Sequence, residues 1–164
     1  MSMILTLLMT AALAGDEEAL LKKATYSLTE AIRKATPIAK DGVLVSADLE
    51  DDNGKAVFVV EFAQDKKVVE VKLDAATGEL LTKEIEDDDK SEIVKACKLP
   101  LTRGIEIALE KVPGKLMGAE AEIDGDKPFF ETKIYSNGKL VKVKVDAVTG
   151  AVLKVKARKE EEKK

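Results

Sequence analysis

The chain has 164 residues, of which 45% are hydrophobic and 35% are charged, a balance typical of folded proteins rather than disordered ones. The formal net charge is −4, and the 27 basic and 31 acidic residues are mixed along the chain, which argues against a general nucleic-acid binder. The chain has no histidine and Cys97 as its one cysteine, which excludes Cys/His zinc sites, Ser-His-Asp triads and internal disulfides.

Residues 1–14 have the pattern of a secretory signal peptide. An apolar stretch ends in Ala12-Leu13-Ala14, the A-x-A pattern that precedes cleavage, and polar residues follow. The positively charged start of such a peptide is missing, and the stretch is shorter than the roughly 20 residues that cross a bilayer. We expect cleavage after Ala14 and a periplasmic or extracellular protein with no transmembrane segment in the mature chain. The alternative is a buried N-terminal helix or strand.

The first folded unit is predicted to be a helix followed by four strands. Ser27 and Glu30 have the spacing of a capping box, an apolar stripe follows them, and Pro37 is expected to kink or end the helix. Alternating apolar residues from Val43 onward indicate strands, separated by turn residues such as Asp65. A run of acidic residues then links this unit to the next.

The second unit repeats the first. The segment Asp74–Gly78, with the sequence Asp-Ala-Ala-Thr-Gly, returns 72 residues later as Asp146–Gly150, and the strands before both segments align without a gap. A second helical stripe stops at Pro113-Gly114, and Asn137-Gly138 predicts a tight hairpin. A unit of about 70 residues buries only a thin core, so we expect the two units to pack on each other.

These patterns predict an α+β fold of two tandem repeats, each with one helix packed on a four-stranded antiparallel meander. The predicted boundaries are a signal peptide at 1–14, the first repeat at 15–85, an acidic linker at 86–90, the second repeat at 91–157 and a charged tail at 158–164.

The order of helix, meander, Asp-Ala-x-Thr-Gly hairpin and last strand resembles the PepSY domain. The residues that carry the resemblance in the second repeat are Ala108, Pro113-Gly114, Phe130 and the segment Val145–Gly150. The first repeat lacks the Pro-Gly end of the helix. The resemblance implies a PepSY or cystatin-like arrangement and a secreted, non-catalytic module that inhibits, chaperones or regulates a peptidase. It brings no catalytic residue, metal or cofactor, and we expect none.

Acidic residues do not indicate a catalytic or metal site. The segment Asp48–Gly54 lacks the glycine and glutamate spacing of a calcium loop, so we interpret it as a hairpin turn. Glu61 and Glu70 face outward on adjacent predicted strands, where solvated carboxylates have no cause to shift their pKa. The aspartates and glycines of the repeated segment are interpreted as structural hairpin residues: Asp74, Gly78, Asp146 and Gly150.

The outward sheet faces of the two repeats differ, whereas the inward faces match, so we expect any specialised role on the outward faces. In the second repeat this face is basic and aromatic, and its residues form a candidate partner-binding surface: Phe129, Lys133, Tyr135, Lys142, Lys144, Lys154 and Lys156. In the first repeat it carries a candidate apolar interface, between the repeats or between two copies: Val57, Val59 and Val68. The alternative is a lysine-rich face that only prevents aggregation.

Three functions fit the sequence. The first is a secreted binding module that inhibits or modulates a peptidase. The second is an enzyme binder whose two repeats fuse their sheets into one concave surface, similar in arrangement to β-lactamase inhibitory protein, although the disulfides of that protein are impossible here. The third is an envelope structural or assembly module whose basic sheet docks an anionic partner. None of them involves catalysis or nucleic acid, and dimerisation is compatible with each.

Overall fold

The computed structural model describes residues 14–158, and each repeat consists of a short helix, a longer helix and four strands. The helices are α1 (Ala14–Lys23), α2 (Leu28–Ala39), α3 (Ser91–Ala96) and α4 (Leu101–Lys111). The strands of the first repeat are β1 (Val43–Asp52), β2 (Lys55–Gln64), β3 (Lys67–Asp74) and β4 (Leu80–Glu86). Those of the second repeat are β5 (Lys115–Asp124), β6 (Lys127–Ser136), β7 (Lys139–Asp146) and β8 (Val152–Ala157).

All eight strands belong to one antiparallel sheet in the order β4-β3-β2-β1-β5-β6-β7-β8. The repeats join through β1 and β5, where Ala47 pairs with Ala119. These two alanines are equivalent residues, 72 positions apart. Because equivalent residues face each other on antiparallel strands, a local two-fold axis relates the repeats at this pair. The predicted α+β fold of two helix-and-meander repeats is confirmed, and the meanders form one continuous sheet.

Helix α2 begins as its sequence predicts. The backbone N–H of Glu30 donates to Oγ of Ser27 at 3.1 Å, and the backbone N–H of Ser27 donates to Oε2 of Glu30 at 2.7 Å, which completes the capping box. The helix does not end at Pro37 but continues to Ala39. Proline removes one intrahelical hydrogen bond and its ring crowds the carbonyl four residues earlier, and the helix ends two residues after it.

The core lies between the sheet and helices α2 and α4, which pack on the same face. Its largest fully buried side chains include Phe58, Phe62, Phe130 and Ile134. Helix α2 also contacts β5, and α4 contacts β1, so each helix reaches across to the other repeat. Because the ladder between β1 and β5 is only three residue pairs long, this helix packing adds substantially to the junction of the repeats.

The two Asp-Ala-x-Thr-Gly segments are the hairpins between the third and fourth strand of each repeat. Oδ1 of Asp146 accepts hydrogen bonds from the backbone N–H of Val148 at 2.7 Å and of Thr149 at 3.0 Å. The chain then turns at Gly150, whose φ of 80° is readily adopted only by glycine. The segment Asp74–Gly78 makes the same hydrogen bonds.

The alanine of each hairpin anchors the chain just before the main helix. The carbonyl oxygen of Ala147 accepts hydrogen bonds from the backbone N–H groups of Lys98 at 3.0 Å and Leu99 at 2.9 Å. In the first repeat the carbonyl oxygen of Ala75 accepts from Thr25 at 2.8 Å. Both alanines are fully buried. The repeated segment therefore fixes where each main helix starts as well as turning the chain.

Val57, Val59 and Val68 are buried within a single chain, so the prediction of an exposed apolar patch is wrong. Their exposed fractions are 2%, 7% and 1%. They lie on the sheet face opposite α2 and α4, where polar residues occupy neighbouring strands, such as Asp48 and Lys72 on either side of Val59. The interface between the repeats is formed instead by β1 and β5.

The predicted signal peptide and the charged tail lie almost wholly outside the described residues. Ala14, after which cleavage is predicted, is the first residue of α1. Within residues 14–158 there is no helix with the length and hydropathy that a membrane span requires.

Candidate functional site

The open face is the sheet face opposite α2 and α4. It carries most of the charged side chains of the sheet. One row of residues in register crosses this face on all eight strands. The row is acidic over most of its length and ends in two lysines. From β4 to β8 its members are Glu84, Glu70, Glu61, Ser46, Glu120, Glu131, Lys144 and Lys154.

A second row runs beside the first and has Asp48 at its centre. On β5 the residue opposite Asp48 is Gly118, and lysines occupy the remaining strands of the second repeat. These lysines are Lys133, Lys142 and Lys156. The fold therefore brings the lysines predicted for partner binding together on β6, β7 and β8. It also places them next to a strongly acidic region, which the sequence did not indicate.

Asp48 lies at the junction of the two repeats. A Cβ atom on Gly118 would lie 2.4 Å from Oδ1 of Asp48, so the carboxylate occupies the space that a side chain on Gly118 would fill. Burial raises the pKa of Asp48 to about 7, although the nearby Lys133 ammonium acts in the opposite direction. This carboxyl group therefore titrates much closer to neutral pH than an ordinary aspartate does.

Glu61 and Glu70 are not solvated carboxylates, so the prediction that nothing shifts them is wrong. Burial, together with the neighbouring Glu70 carboxylate, raises the pKa of Glu61 to about 7. Burial also raises the pKa of Glu70 above its ordinary value. Pairing of β1 with β5 brings Glu120 near Glu61 and adds another negative charge. Burial likewise raises the pKa of two further carboxyl groups of this face, Glu50 and Glu122.

The lysines on β7 make specific contacts on the open face. Nζ of Lys142 lies 3.2 Å from Oε1 of Glu131. Nζ of Lys144 lies 3.7 Å from the centroid of the Phe129 ring, a cation–π contact. Phe129 is only 7% exposed, so its ring is not presented to solvent as a docking group would be.

Tyr135 is half-buried near the end of α1. Its hydroxyl group donates a hydrogen bond to Oε2 of Glu18 at 3.4 Å. Glu18 also forms an ion pair with Lys22 at 3.0 Å. A shallow pocket beside these residues is lined by Leu21 and Gly114 among others. Tyr135 therefore contacts the first repeat's α1 rather than standing free for a partner.

Three carboxylates lie close together at the β4 end of the open face. Glu70, Glu84 and Glu86 each have an oxygen within 4.8 Å of the others. Carboxylate oxygens are the ligands that Ca²⁺ and Mg²⁺ prefer, but exposed acidic groups of this kind are common without an ion. Together with the lysines at the other end, they give the open face one acidic and one basic end, an arrangement suited to recognition by charge.

The acidic residues of β1 and β5 are the part of the site that sequence reasoning missed. Alternation within each strand already places Asp48 and Glu120 outward. The missing information was the strand order, because only the pairing of β1 with β5 brings both acidic strands to the centre of one face.

A family profile matches the chain twice, once in each repeat. The family profile described as "PepSY: Peptidase propeptide and YPEB domain" matches residues 25–84 and 99–156. Among solved structures, the crystal structure of a "putative lipoprotein" from Clostridium difficile 630 is 26% identical in sequence, with 82% of this chain and 95% of the other covered and a TM-score of 0.48. A comparison with curated proteins found no match.

The two matched segments cover nearly all of the main helix and four strands of each repeat. PepSY domains are peptidase propeptide and regulatory modules. The chain therefore belongs to the PepSY family and carries two PepSY domains in tandem.

Proposed function

We propose that the chain is a non-catalytic binding module that binds a peptidase through the open face of its sheet and inhibits or modulates it. Membership of a family of peptidase propeptides and regulators supports a peptidase as the partner. Proteins of this family are generally extracellular or periplasmic, which supports the same location for this chain.

The separation of charge on the open face is the observation that carries this proposal. Lysines predominate on β6, β7 and β8, where Glu131 is the one carboxylate of the two rows. Carboxylates predominate on β1 to β5, with Lys72 on β3 among them. Complementary charge patterns steer association and select partners more than they add affinity. A partner with acidic and basic patches in the matching order would bind in one orientation, as a regulator of one enzyme requires.

Carboxyl groups with a pKa of about 7 make such binding dependent on pH. A cationic group of the partner placed beside Asp48 or Glu61 favours the charged carboxylate, so binding there releases protons. Affinity for a partner that uses this region should therefore increase between pH 6 and pH 8. A partner that contacts only the lysines of β7 and β8 would not show this dependence.

The experiment is to measure binding and inhibition with a panel of purified peptidases that includes thermolysin-type enzymes. The test variant is K142E/K144E, which reverses charge on the open face. The matched control is K98E/K111E, which makes the same change in net charge at two exposed lysines near the ends of α3 and α4. For a peptidase that binds the open face, the test variant should weaken binding by about tenfold or more, and the control should have little effect.

Two results would remove the basis of the proposal. One is that no peptidase in the panel is retained or slowed. The other is that K142E/K144E and K98E/K111E weaken binding equally, because the effect would then come from net charge and not from this surface.

The fusion of the two meanders into one sheet favours a second candidate, an enzyme binder of the β-lactamase-inhibitor kind. Such a binder requires a single extended surface built from two repeats, and the pairing of β1 with β5 provides one. Inhibition of a β-lactamase at micromolar concentrations of the chain is the test. A flat response would eliminate this candidate without affecting the peptidase proposal.

Export can be tested separately. If the predicted signal peptide is removed after Ala14, N-terminal sequencing of the protein recovered from the native secretion or periplasmic fraction should begin at Gly15. Recovery of the intact chain from the cytoplasm alone would contradict both the cleavage and the location.

A further inference from the structure

Strands β4 and β8 are the two ends of the sheet, and within the described residues each pairs with one neighbour only. An edge strand presents backbone N–H and C=O groups that can pair with a strand of another chain. Proteins usually block such edges with charge, bulges or covering segments. The side chains of β4 and β8 therefore indicate which strands of another chain these edges repel and which they can pair with.

Both edges present apolar side chains on the helix side of the sheet. Ile85 on β4 is 63% exposed, and Val155 on β8 is 45% exposed. Their partners on the next strand, Val69 and Val143, are buried. Helices α2 and α4 pack over the inner strands and leave these outer positions uncovered within the described part of the chain. Each edge therefore has an apolar side chain available for a neighbour.

On the open face, the β4 edge is negative. Glu84 lies directly opposite Glu70, and Glu86 has a carboxylate oxygen within 4.8 Å of both. Like charges opposite each other on adjacent strands destabilise a sheet. Lys72 compensates Glu70 at 3.6 Å, but Glu84 and Glu86 form no ion pair with any described residue. A positive charge nearby would therefore stabilise this edge.

On the same face, the β8 edge is positive. Lys154 lies opposite Lys144, and Lys156 lies opposite Lys142. The two inner lysines have contacts of their own, with Phe129 and with Glu131 respectively. Lys154 and Lys156 form no ion pair among residues 14–158. This edge would gain from a nearby negative charge, so the two edges of one chain are complementary.

From this complementarity we infer that β8 of one chain pairs with β4 of a second copy, so that the sheet continues from chain to chain. Neighbouring strands alternate in direction across all eight positions, so β4 and β8 run in opposite directions. A second copy in the same orientation therefore places its β4 antiparallel to β8 of the first copy. The helix sides of the two sheets are then adjacent, and so are their open faces. The apolar side chains and the opposite charges then meet on their respective sides.

One antiparallel register satisfies both sides at once. It places Lys156 opposite Glu84 and Lys154 opposite Glu86 on the open face. Between them, Val155 lies opposite Ile85 on the helix side. Cross-strand pairs of opposite charge and pairs of apolar residues are the units that stabilise a sheet. The contact thus combines backbone pairing with side-chain complementarity.

Charge also argues against the symmetric alternatives. A two-fold contact between two β4 edges would bring Glu84 and Glu86 against the same residues of the other copy. A two-fold contact between two β8 edges would do the same with Lys154 and Lys156. The pairing of β8 with β4 uses different surfaces on the two copies, so it leaves an unused edge at each end and allows further chains to add.

The test is the mass of the full chain in solution, measured by sedimentation velocity or light scattering as a function of protein concentration. At low salt the average mass should rise above the 17.8 kDa of one chain as concentration increases. Raising salt from about 10 mM to about 1 M shortens the Debye length from about 30 Å to about 3 Å and should reverse the association.

Charge-reversal variants identify the surface. E84K/E86K and K154E/K156E should each weaken self-association by about tenfold or more, because each places like charges on both edges. An equal mixture of these two variants should restore association, because the altered β4 then matches the altered β8. The control K98E/K111E changes net charge as K154E/K156E does and should associate like the original chain.

Three outcomes overturn the inference. The first is a single-chain mass at every concentration at low salt. The second is association that persists in both edge variants, which would place the contact on another surface. The third is association that strengthens with salt, which would show that the edge charges serve only to keep chains apart. None of these outcomes bears on peptidase binding, which is measured with K142E/K144E.

Discussion

Asp48 on β1 lies directly opposite Gly118 on β5, at the junction of the two repeats. The carboxylate fills the space above the glycine, where a Cβ atom would lie 2.4 Å from Oδ1. Equivalent positions in the other half of the junction carry Ser46 and Glu120, which pair without a glycine. The junction is therefore symmetric in its backbone but not in its side chains, and only one half holds a partly buried acid.

Replacing Gly118 with alanine should destabilise the fold. The new methyl group would displace Oδ1 of Asp48, the end of a side chain that can rotate aside, so we expect a cost at or below the lower end of the about 1–3 kcal/mol typical of overpacking in a core. Urea unfolding gives the change in the free energy of unfolding. In a D48A background, the glycine substitution should lower the free energy of unfolding by clearly less. An unchanged effect there would show that the carboxylate is not the group displaced.

The stability of the fold should fall as pH rises through the range in which Asp48 titrates. Its pKa is raised from 3.8 to about 7 by burial, so between these values the folded chain binds more protons than the unfolded chain. The proton stabilises the folded state at pH 4, and this contribution is lost by about pH 7. D48N should flatten that slope and should be more stable than the original chain at pH 8 by roughly 1–2 kcal/mol, after allowance for the lost attraction to Lys133.

Unfolding free energies measured in urea at four pH values from 5 to 8 test this prediction. The matched control is E110Q, which neutralises an exposed carboxylate on α4. It should leave the slope unchanged. If D48N and E110Q have parallel pH profiles, Asp48 does not hold a proton in the folded state near neutral pH.

Features that depend on neighbouring residues were predictable from the sequence. The cap formed by Ser27 and Glu30 spans four residues, and Asp146 accepts hydrogen bonds from backbone groups two and three residues later. Both features depend only on nearby residues, so the local sequence predicts them. The 72-residue repeat then predicts two copies of one unit. These local patterns were sufficient for the fold class and for the start of the first strand, which is predicted and observed at Val43.

The junction and the electrostatics of the open face were not predictable in the same way. The pairing of Ala47 with Ala119 rests on three residue pairs, and alternation along β1 or β5 does not reveal which strand lies alongside. The burial of Val59 and the raised pKa of Glu61 both follow from neighbours on other strands. Strand order is a property of the whole sheet, so these properties became clear only with the fold.

Gly104 on α4 allows close packing of the helix on the sheet. A Cβ atom there would lie 2.3 Å from Cδ2 of the buried Phe130 ring. G104A should therefore destabilise the chain by about 1–3 kcal/mol through overpacking, even though alanine favours a helix over glycine by about 1 kcal/mol. The first repeat carries Ala31 at the equivalent position, so the substitution tests a true difference between the repeats. In an F130L background the penalty should shrink, and thermal unfolding measures both.

Asp74 and Asp146 make the same two backbone hydrogen bonds, but among the described residues only Asp74 also forms an ion pair. Nζ of Lys55 lies 2.8 Å from Oδ2 of Asp74, and this ion pair lowers the pKa of Asp74 together with the backbone hydrogen bonds. We expect D74A to destabilise the chain more than D146A. In both hairpins the asparagine variant should be milder than the alanine variant, because it keeps an acceptor for the backbone N–H groups.

Thermal unfolding of D74A, D146A, D74N and D146N tests this order. The substitution K55M separates the stabilisation by the ion pair from the stabilisation by the backbone hydrogen bonds of Asp74. In a K55M background, D74A should cost no more than D146A, because the ion pair that distinguishes Asp74 is then absent. The lowered pKa of both aspartates means that their contribution is present above about pH 4 and is lost as pH falls further, opposite in direction to Asp48. If D74A and D146A cost the same with Lys55 in place, the ion pair adds nothing to the folded state. The two hairpins would then be equivalent in energy as well as in sequence.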